Sequence, residues 1–193
     1  MQEESFFCSY RENYAYSLGI QAYIYGYPLV VMERTRQLQT KLNTTIQQPV
    51  LTASNVLFHE PISPEFKDVV SPNVDTVYST AWLDLSQNPV VLFVPDTDDR
   101  YYLVQIMDAY SNTFSSIGRR TTGTKADKFA IVGPDWKGAL SSGLTVVKSP
   151  TNTAWLIVRV LSKGKDDEEE ALKILNQFKL TSLDEKSSPH KTC

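Results

Sequence analysis

Between Val77 and Leu161 the chain is a succession of short runs in which apolar and other residues alternate with a period of two, each closed by Gly, Pro, Asp or Ser. Val77, Ser79, Ala81 and Leu83 alternate against Tyr78, Thr80 and Trp82, Pro89–Val94 is a short apolar run, and Tyr102, Val104 and Ile106 alternate against Tyr101, Leu103 and Gln105. Further strands are expected at Lys128–Val132, Leu144–Lys148 and Ala154–Leu161, with Gly133-Pro134, Ser141-Ser142-Gly143 and Ser149-Pro150 as turns between them. Roughly six or seven strands without intervening helices describe an antiparallel sandwich or barrel and exclude an alternating β-α-β sheet. Ala154–Leu161 is expected at the centre of its sheet, because Leu156, Val158 and Val160 alternate with Trp155, Ile157 and Arg159 and both faces are apolar. Arg159, inside that strand, needs a carboxylate, several carbonyl oxygens, or a path to the sheet edge.

Helical periodicity is confined to the two ends. Tyr14, Leu18, Ala22 and Tyr25 form one stripe, and Gly26-Tyr27-Pro28 reads as a break, so residues 10–40 are expected to be a helical pair whose tyrosines meet a sheet. Residues 42–71 hold no period and read as loop, with one short strand at Asn55–His59. Asp166–Glu170 places acid at the start of a helix over 166–178, with Leu172, Leu175 and Phe178 as its apolar positions. The resulting organisation is an N-terminal arm (1–9), a single domain (10–180) and a flexible tail (181–193), mainly β within an α+β pattern. A chain of 193 residues, 41% of them hydrophobic and 21% charged, can bury a core of its own.

Charge and motif content exclude several functions. The formal charge is −3 and the pI near 5.4; with no basic stripe beside the aromatics, nucleic acid is discounted as a partner. Cys8 and Cys193 read as two free thiols outside any metal or redox spacing, and His59 and His190 lack neighbouring ligands, so no metal site and no cofactor are expected. Asp96-Thr97-Asp98-Asp99 lacks the glycine and glutamate of a calcium loop and reads as a turn. No membrane span and no secretory signal are visible, which gives a cytoplasmic reading, with an extracellular or periplasmic one if a leader was removed. Asn43-Thr44-Thr45 fits a glycosylation triplet only in that second setting. Nucleotide, serine-hydrolase and zincin motifs are lacking.

The chemistry-bearing constellation lies between Val69 and Thr124. Asn73, Asp75 and Tyr78 surround the start of one strand, Asp108, Tyr110 and Asn112 the end of another, and Arg119, Arg120, Thr121 and Thr122 follow. Asp75 and Asp108 are the candidate catalytic carboxylates, and Asn73, Tyr78, Tyr110, Asn112, Arg120 and Thr122 the candidate binding residues. Asp75, Tyr78, Asp108 and Arg120 are expected to form one cluster, because strand ends of a sandwich gather loops. Two readings stay open. One is a binding or assembly module whose polar groups only hold loops; the other is an enzyme on small organic molecules, with a carboxylate base and an arginine holding an anionic group.

The segments Tyr23–Val30, Ser71–Ser86, Pro95–Thr124, Phe129–Trp136 and Ser149–Val160 resemble, in order and spacing, the family named domain of unknown function 1254, over about residues 10–180. The resemblance implies an immunoglobulin-like β-sandwich preceded by helices. It also implies a larger arrangement in which a jelly-roll-like domain of unknown function 1214 follows. Taken with the two readings above, the expected partners are such a second domain, another protein, a further copy of the chain, or a small-molecule ligand.

Overall fold

The computed structural model describes residues 2–40, 58–60, 73 and 75–183, with side chains from Ser9 onward in the first segment. In chain order the elements are α1 (Gln2–Thr40), β1 (Phe58–Glu60), β2 (Thr76–Asp84), β3 (Val90–Val94), β4 (Tyr102–Met107), β5 (Thr113–Gly118), β6 (Asp127–Val132), β7 (Thr145–Lys148), β8 (Thr153–Leu161), α2 (Lys165–Leu175) and β9 (Lys179–Ser182). The body is mainly β, with two sheets ordered β1-β2-β8-β4-β5 and β7-β6-β3-β9.

The period-two runs explain the first sheet. β8 lies between β2 and β4, as its two apolar faces require, and Trp82 pairs with Trp155 while Tyr78 pairs with Arg159. Ala81, Leu83, Val104, Ile106, Leu156 and Val158 on its inner face share one core with Val90, Leu92, Phe129 and Ile131 of the second sheet. Ala171, Leu175 and Phe178 close the same core from α2 and the residues after it, and the Phe178 ring lies 5.8 Å from that of Tyr102.

Five expectations are corrected. First, α1 is a single helix of 39 residues with Pro28 inside it, not a pair. Proline in a helix interior removes a donor and crowds the preceding turn, at about 3 kcal/mol; here contacts with the body at Tyr25, Met32 and Gln39 hold the helix on both sides of it. Second, α1 begins at Gln2, so the helix expected from residue 10 also takes in residues 2–9. Third, the stripe Tyr14, Leu18, Ala22 and Tyr25 does not form core: all four are exposed, and of the described α1 side chains only Met32 is buried.

The fourth correction concerns strands that the pattern does not announce. β5 occupies Thr113–Gly118, and β9 pairs with β3 at the point where the sequence predicts the start of a C-terminal tail. β9 has a polar, largely exposed sequence, so it carries no alternation to read; its partner Val90–Phe93 supplies the apolar half. Fifth, β6 and β7 pair in parallel within otherwise antiparallel sheets. The connection from Gly133 to Leu144 has the roughly dozen residues that a parallel crossover needs. Asn55–Leu57, the Asn43 triplet, His190, Cys193 and the Cys8 side chain lie outside the described residues.

Candidate functional site

The sequence-predicted residues fall at two opposite ends of the first sheet, separated by the six residues of β4, about 20 Å. At the first end β2 begins and β5 ends. Asn73 accepts the Asp75 N–H at 2.7 Å through Oδ1, and the Asp75 carbonyl accepts the Ser162 N–H at 2.9 Å, so both residues shape the entry into β2. The Arg120 guanidinium stands 5.5 Å from the centre of the Tyr101 ring, while Arg119 pairs with Asp99 at 2.8 Å. Thr122 Oγ1 accepts the Gly118 N–H at 3.2 Å and lies 3.4 Å from the Tyr102 hydroxyl, which donates to the Gly123 carbonyl at 3.0 Å. Burial pushes the Tyr102 phenol above its ordinary pKa.

A clamp that the sequence reading missed closes this end. Arg100 reaches Asp167 with two bonds of 2.6 and 2.7 Å and donates at 2.8 Å to the Leu161 carbonyl. The guanidinium, helped by the Lys163 N–H, holds the Asp167 carboxyl well below the usual carboxylate range. The signal is present in the sequence as an acid in the first turn of α2, but its partner is set by the fold.

Asp108 lies at the second end. Its Oδ1 accepts the N–H groups of Tyr110 and Asn112 at 2.8 and 2.9 Å, and its Oδ2 accepts the Asn112 side-chain amide at 3.1 Å. The buried carboxylate thereby holds a turn in which Ser111 takes a positive φ of 66°. Tyr110 donates to the Tyr25 hydroxyl of α1 at 3.2 Å, and that contact raises its phenol pKa. Asp75, Tyr78, Asp108 and Arg120 therefore do not form the single cluster expected: Asp75 and Arg120 lie at one end of the sheet, Asp108 at the other, and Tyr78 on the outer face between β2 and β8.

The outer face of the first sheet carries a third group. Tyr78, Thr80 and Trp82 of β2 stand beside Trp155, Ile157 and Arg159 of β8 and Gln105 of β4. Arg159 donates to Gln105 Oε1 at 2.9 Å and lies 5.5 Å over the Tyr78 ring, so its partners are an amide and an aromatic face instead of a carboxylate. Trp82 and Trp155 stack at 5.0 Å and 6°, and Trp155 donates to Thr80 Oγ1 at 2.6 Å. Met32 of α1 packs on Trp82 and Met107, and the Trp82 indole donates to Gln39 Oε1 at 2.7 Å. Period-two alternation assigned these residues to one face of each strand; it could not say that the register would stack the two tryptophans.

The seating of α1 fixes its other faces. Written as a heptad, Tyr25, Met32 and Gln39 occupy f positions and face the body. Tyr16, Ile20, Tyr23, Tyr27, Val30 and Arg34 follow at steps of four and three as a and d, opposite f, with Ile24, Val31 and Leu38 at e beside them. All nine are exposed, Tyr16 to 73%, Tyr23 to 67% and Val30 to 66%. Contacts with the sheet span residues 25–39, about 21 Å of helix, and residues 2–24 continue for about 33 Å beyond them.

Elsewhere, a shallow polar pocket is bordered by Ser86, Gln87, Asp135, Lys137 and Asn152, and no sequence-predicted site residue lines it. Among the described residues no three His, Cys, Asp or Glu side chains converge as metal ligands, and no helix is long and apolar enough to cross a membrane.

The family profile described as "Protein of unknown function (DUF1254)" matches residues 54–182, which include every strand of both sheets. The chain belongs to this family. The crystal structure of the VPA0106 protein from Vibrio parahaemolyticus is similar, with a TM-score of 0.68 and 27% sequence identity over 86% of this DUF1254 chain. The match covers 37% of the Vibrio protein, so the chain spans well under half of that relative's length. No curated protein matches.

Proposed function

We propose that this DUF1254 chain is an assembly module: an immunoglobulin-like sandwich that carries a helix whose principal apolar stripe is covered by another protein body. The observation that carries the reading is the direction of α1. Between Tyr16 and Leu38 its a, d and e positions hold eight large apolar residues beside Ser17, Arg34 and Gln37, all exposed, while the weaker f stripe meets the body. A helix apolar on opposite sides is at home between two packing surfaces, and one exposed stripe of this length marks an interaction surface. The polar groups add support, because Asp108, Asn73 and Thr122 are engaged in holding turns, Arg119 in an ion pair, and Arg120 over a ring. A single core drawn from both sheets supports the sandwich. The larger Vibrio relative is consistent with a second, jelly-roll-like domain as one such body.

Acetylation of tyrosines tests the reading. Tyr16, Tyr23 and Tyr27 are expected to react in the chain held monomeric by dilution and to be shielded in the assembled state. Shielding in the dilute monomer would mean that the chain covers its own helix, and would end the proposal.

A further inference from the structure

We infer that the body covering α1 is a second copy of this chain, its α1 laid antiparallel against the first across the a and d seam. This rests on the assembly reading above and goes further in naming the partner. Antiparallel helices pair an a residue with a d residue of the opposite helix. A two-fold axis beside Tyr25 does this along the whole seam: Tyr27 meets the other copy's Tyr23, Ile20 meets Val30, and Arg34 meets Tyr16. The first two layers are apolar, and the third sets a guanidinium against an aromatic ring at each end of the seam, a favourable cation–π contact. Moving the axis half a heptad toward the N-terminus would set Val30 against Asn13 and Arg34 against Ser9, which disfavours that register. Gly19 and Gly26 flank the seam, and a β-carbon added at either would have nothing within 4 Å, which leaves room for the opposing tyrosine rings.

The overhang gives an independent reason. In this register residues 25–39 of one copy, the part that carries its sheets, run beside residues 11–25 of the other, the part that extends past its own body. Each copy therefore fills the length of helix that the other leaves bare. Because f points away from a and d, the two bodies sit on opposite sides of the helix pair and do not collide. Tyr16, Tyr23 and Tyr27 are 73%, 67% and 54% exposed, and with Ile20 and Val30 beside them they supply the apolar centre of an interface whose specific examples bury roughly 800 Å² per partner.

Sedimentation equilibrium and urea unfolding of the full chain test this together. The unaltered chain is expected to be a dimer in the micromolar range. The paired substitution Tyr23→Glu and Tyr27→Glu should raise the dissociation constant at least tenfold, because each copy buries two added charges, with no change in the urea midpoint measured at the same low concentration. Register is read with Cys8→Ser and Cys193→Ser in the background: chains carrying Tyr16→Cys and chains carrying Arg34→Cys should cross-link to each other through a short bismaleimide, and neither to itself. A monomer throughout the range, a dimer indifferent to the paired substitution, or cross-linking of like with like would overturn the inference. A monomer whose midpoint is unchanged by the pair sinks the second copy alone. If instead the pair lowers the midpoint of that monomer, the chain covers its own stripe and the assembly reading falls with it.

Discussion

Arg159 offers the sharpest energetic test, because a charge at its strand position needs a carboxylate, several carbonyl oxygens or a path to the sheet edge, and its surroundings supply an amide and a ring. In the replacement Arg159→Met the aliphatic stem is kept, so the change isolates the guanidinium. Two contacts are lost: the bond of 2.9 Å to Gln105 Oε1 and the position 5.5 Å over the Tyr78 ring. A hydrogen bond to a charged group is worth about 1.5–3 kcal/mol, and a cation–π contact about 0.5–1 kcal/mol at a partly exposed site. Against this, Gln105 keeps its own donation to Thr113 Oγ1 at 2.8 Å, and its side chain is only half-buried, so water replaces the guanidinium. No charge is stranded.

The expected loss is therefore about 1–2 kcal/mol, well short of the 3–5 kcal/mol that follows when a buried ion pair is broken. Urea unfolding with a constant slope measures it, and a cycle with Tyr78→Leu should return a coupling of about 0.5–1 kcal/mol for the ring contact alone. A loss of 3 kcal/mol or more would show a desolvated charge with an essential partner. An unmoved midpoint would show that neither contact is held in solution. Either result would refute the account of this face.

Three other outcomes are expected. The Asp167 carboxyl has a depressed pKa in the folded state, so its contribution to stability is complete above the ordinary carboxylate value near ~4 and is lost as pH falls through the depressed one; urea midpoints measured down the acid range should fall, and Asp167→Asn should remove part of that fall. Gly133→Ala should destabilise by about 1–3 kcal/mol in thermal or urea unfolding, because the added carbon would stand 2.6 Å from the Leu85 carbonyl, which is backbone and cannot swing aside, and 2.7 Å from the side-chain Oδ1 of Asn152. Met32→Ala removes the one buried side chain described in α1, so hydrogen exchange should accelerate over residues 25–40 while the amides of β8 keep their protection.

Most of the strands legible in the sequence are those buried on one or both faces; β7, an exposed edge strand, was legible from its Thr145-Val146-Val147 run and the Gly143 turn before it. β2, β3, β4, β6 and β8 announce themselves because each must present apolar residues to the common core, and a slip of one position would turn them outward. β9 and β5 were not legible for the same reason in reverse. They lie at sheet edges, where β9 is almost wholly exposed and β5 buries only Ile117 and Gly118, so their pairing rests on backbone bonds that leave little mark on composition. The candidate polar residues were legible as a set and not as an arrangement. That Asp108 must be satisfied follows from its neighbours; that two backbone N–H groups within four residues satisfy it, and Arg120 does not, depends on which end of β4 each loop leaves. Sequence adjacency to a strand says that a residue is at an end, never which end its distant partners share.

The N-terminal helix shows the same limit more sharply. The residues of α1 carry two stripes, and the reading from Tyr14, Leu18 and Tyr25 chose the one that turns toward the body, then assumed that it was buried along its length. A sheet of five strands is only about 24 Å across its hydrogen-bonding direction, whereas α1 runs for about 58 Å. No sheet of this size can cover such a helix end to end, so most of either stripe must look elsewhere whichever one docks. The body captures the stretch where Trp82 and Met107 can take Met32, and what the sheet cannot reach is then an apolar surface fixed in direction by that one anchor. Directional fixing distinguishes an interface from a stray exposed residue, since a partner meets side chains already ordered by the helix and need not meet the entropy of arranging them.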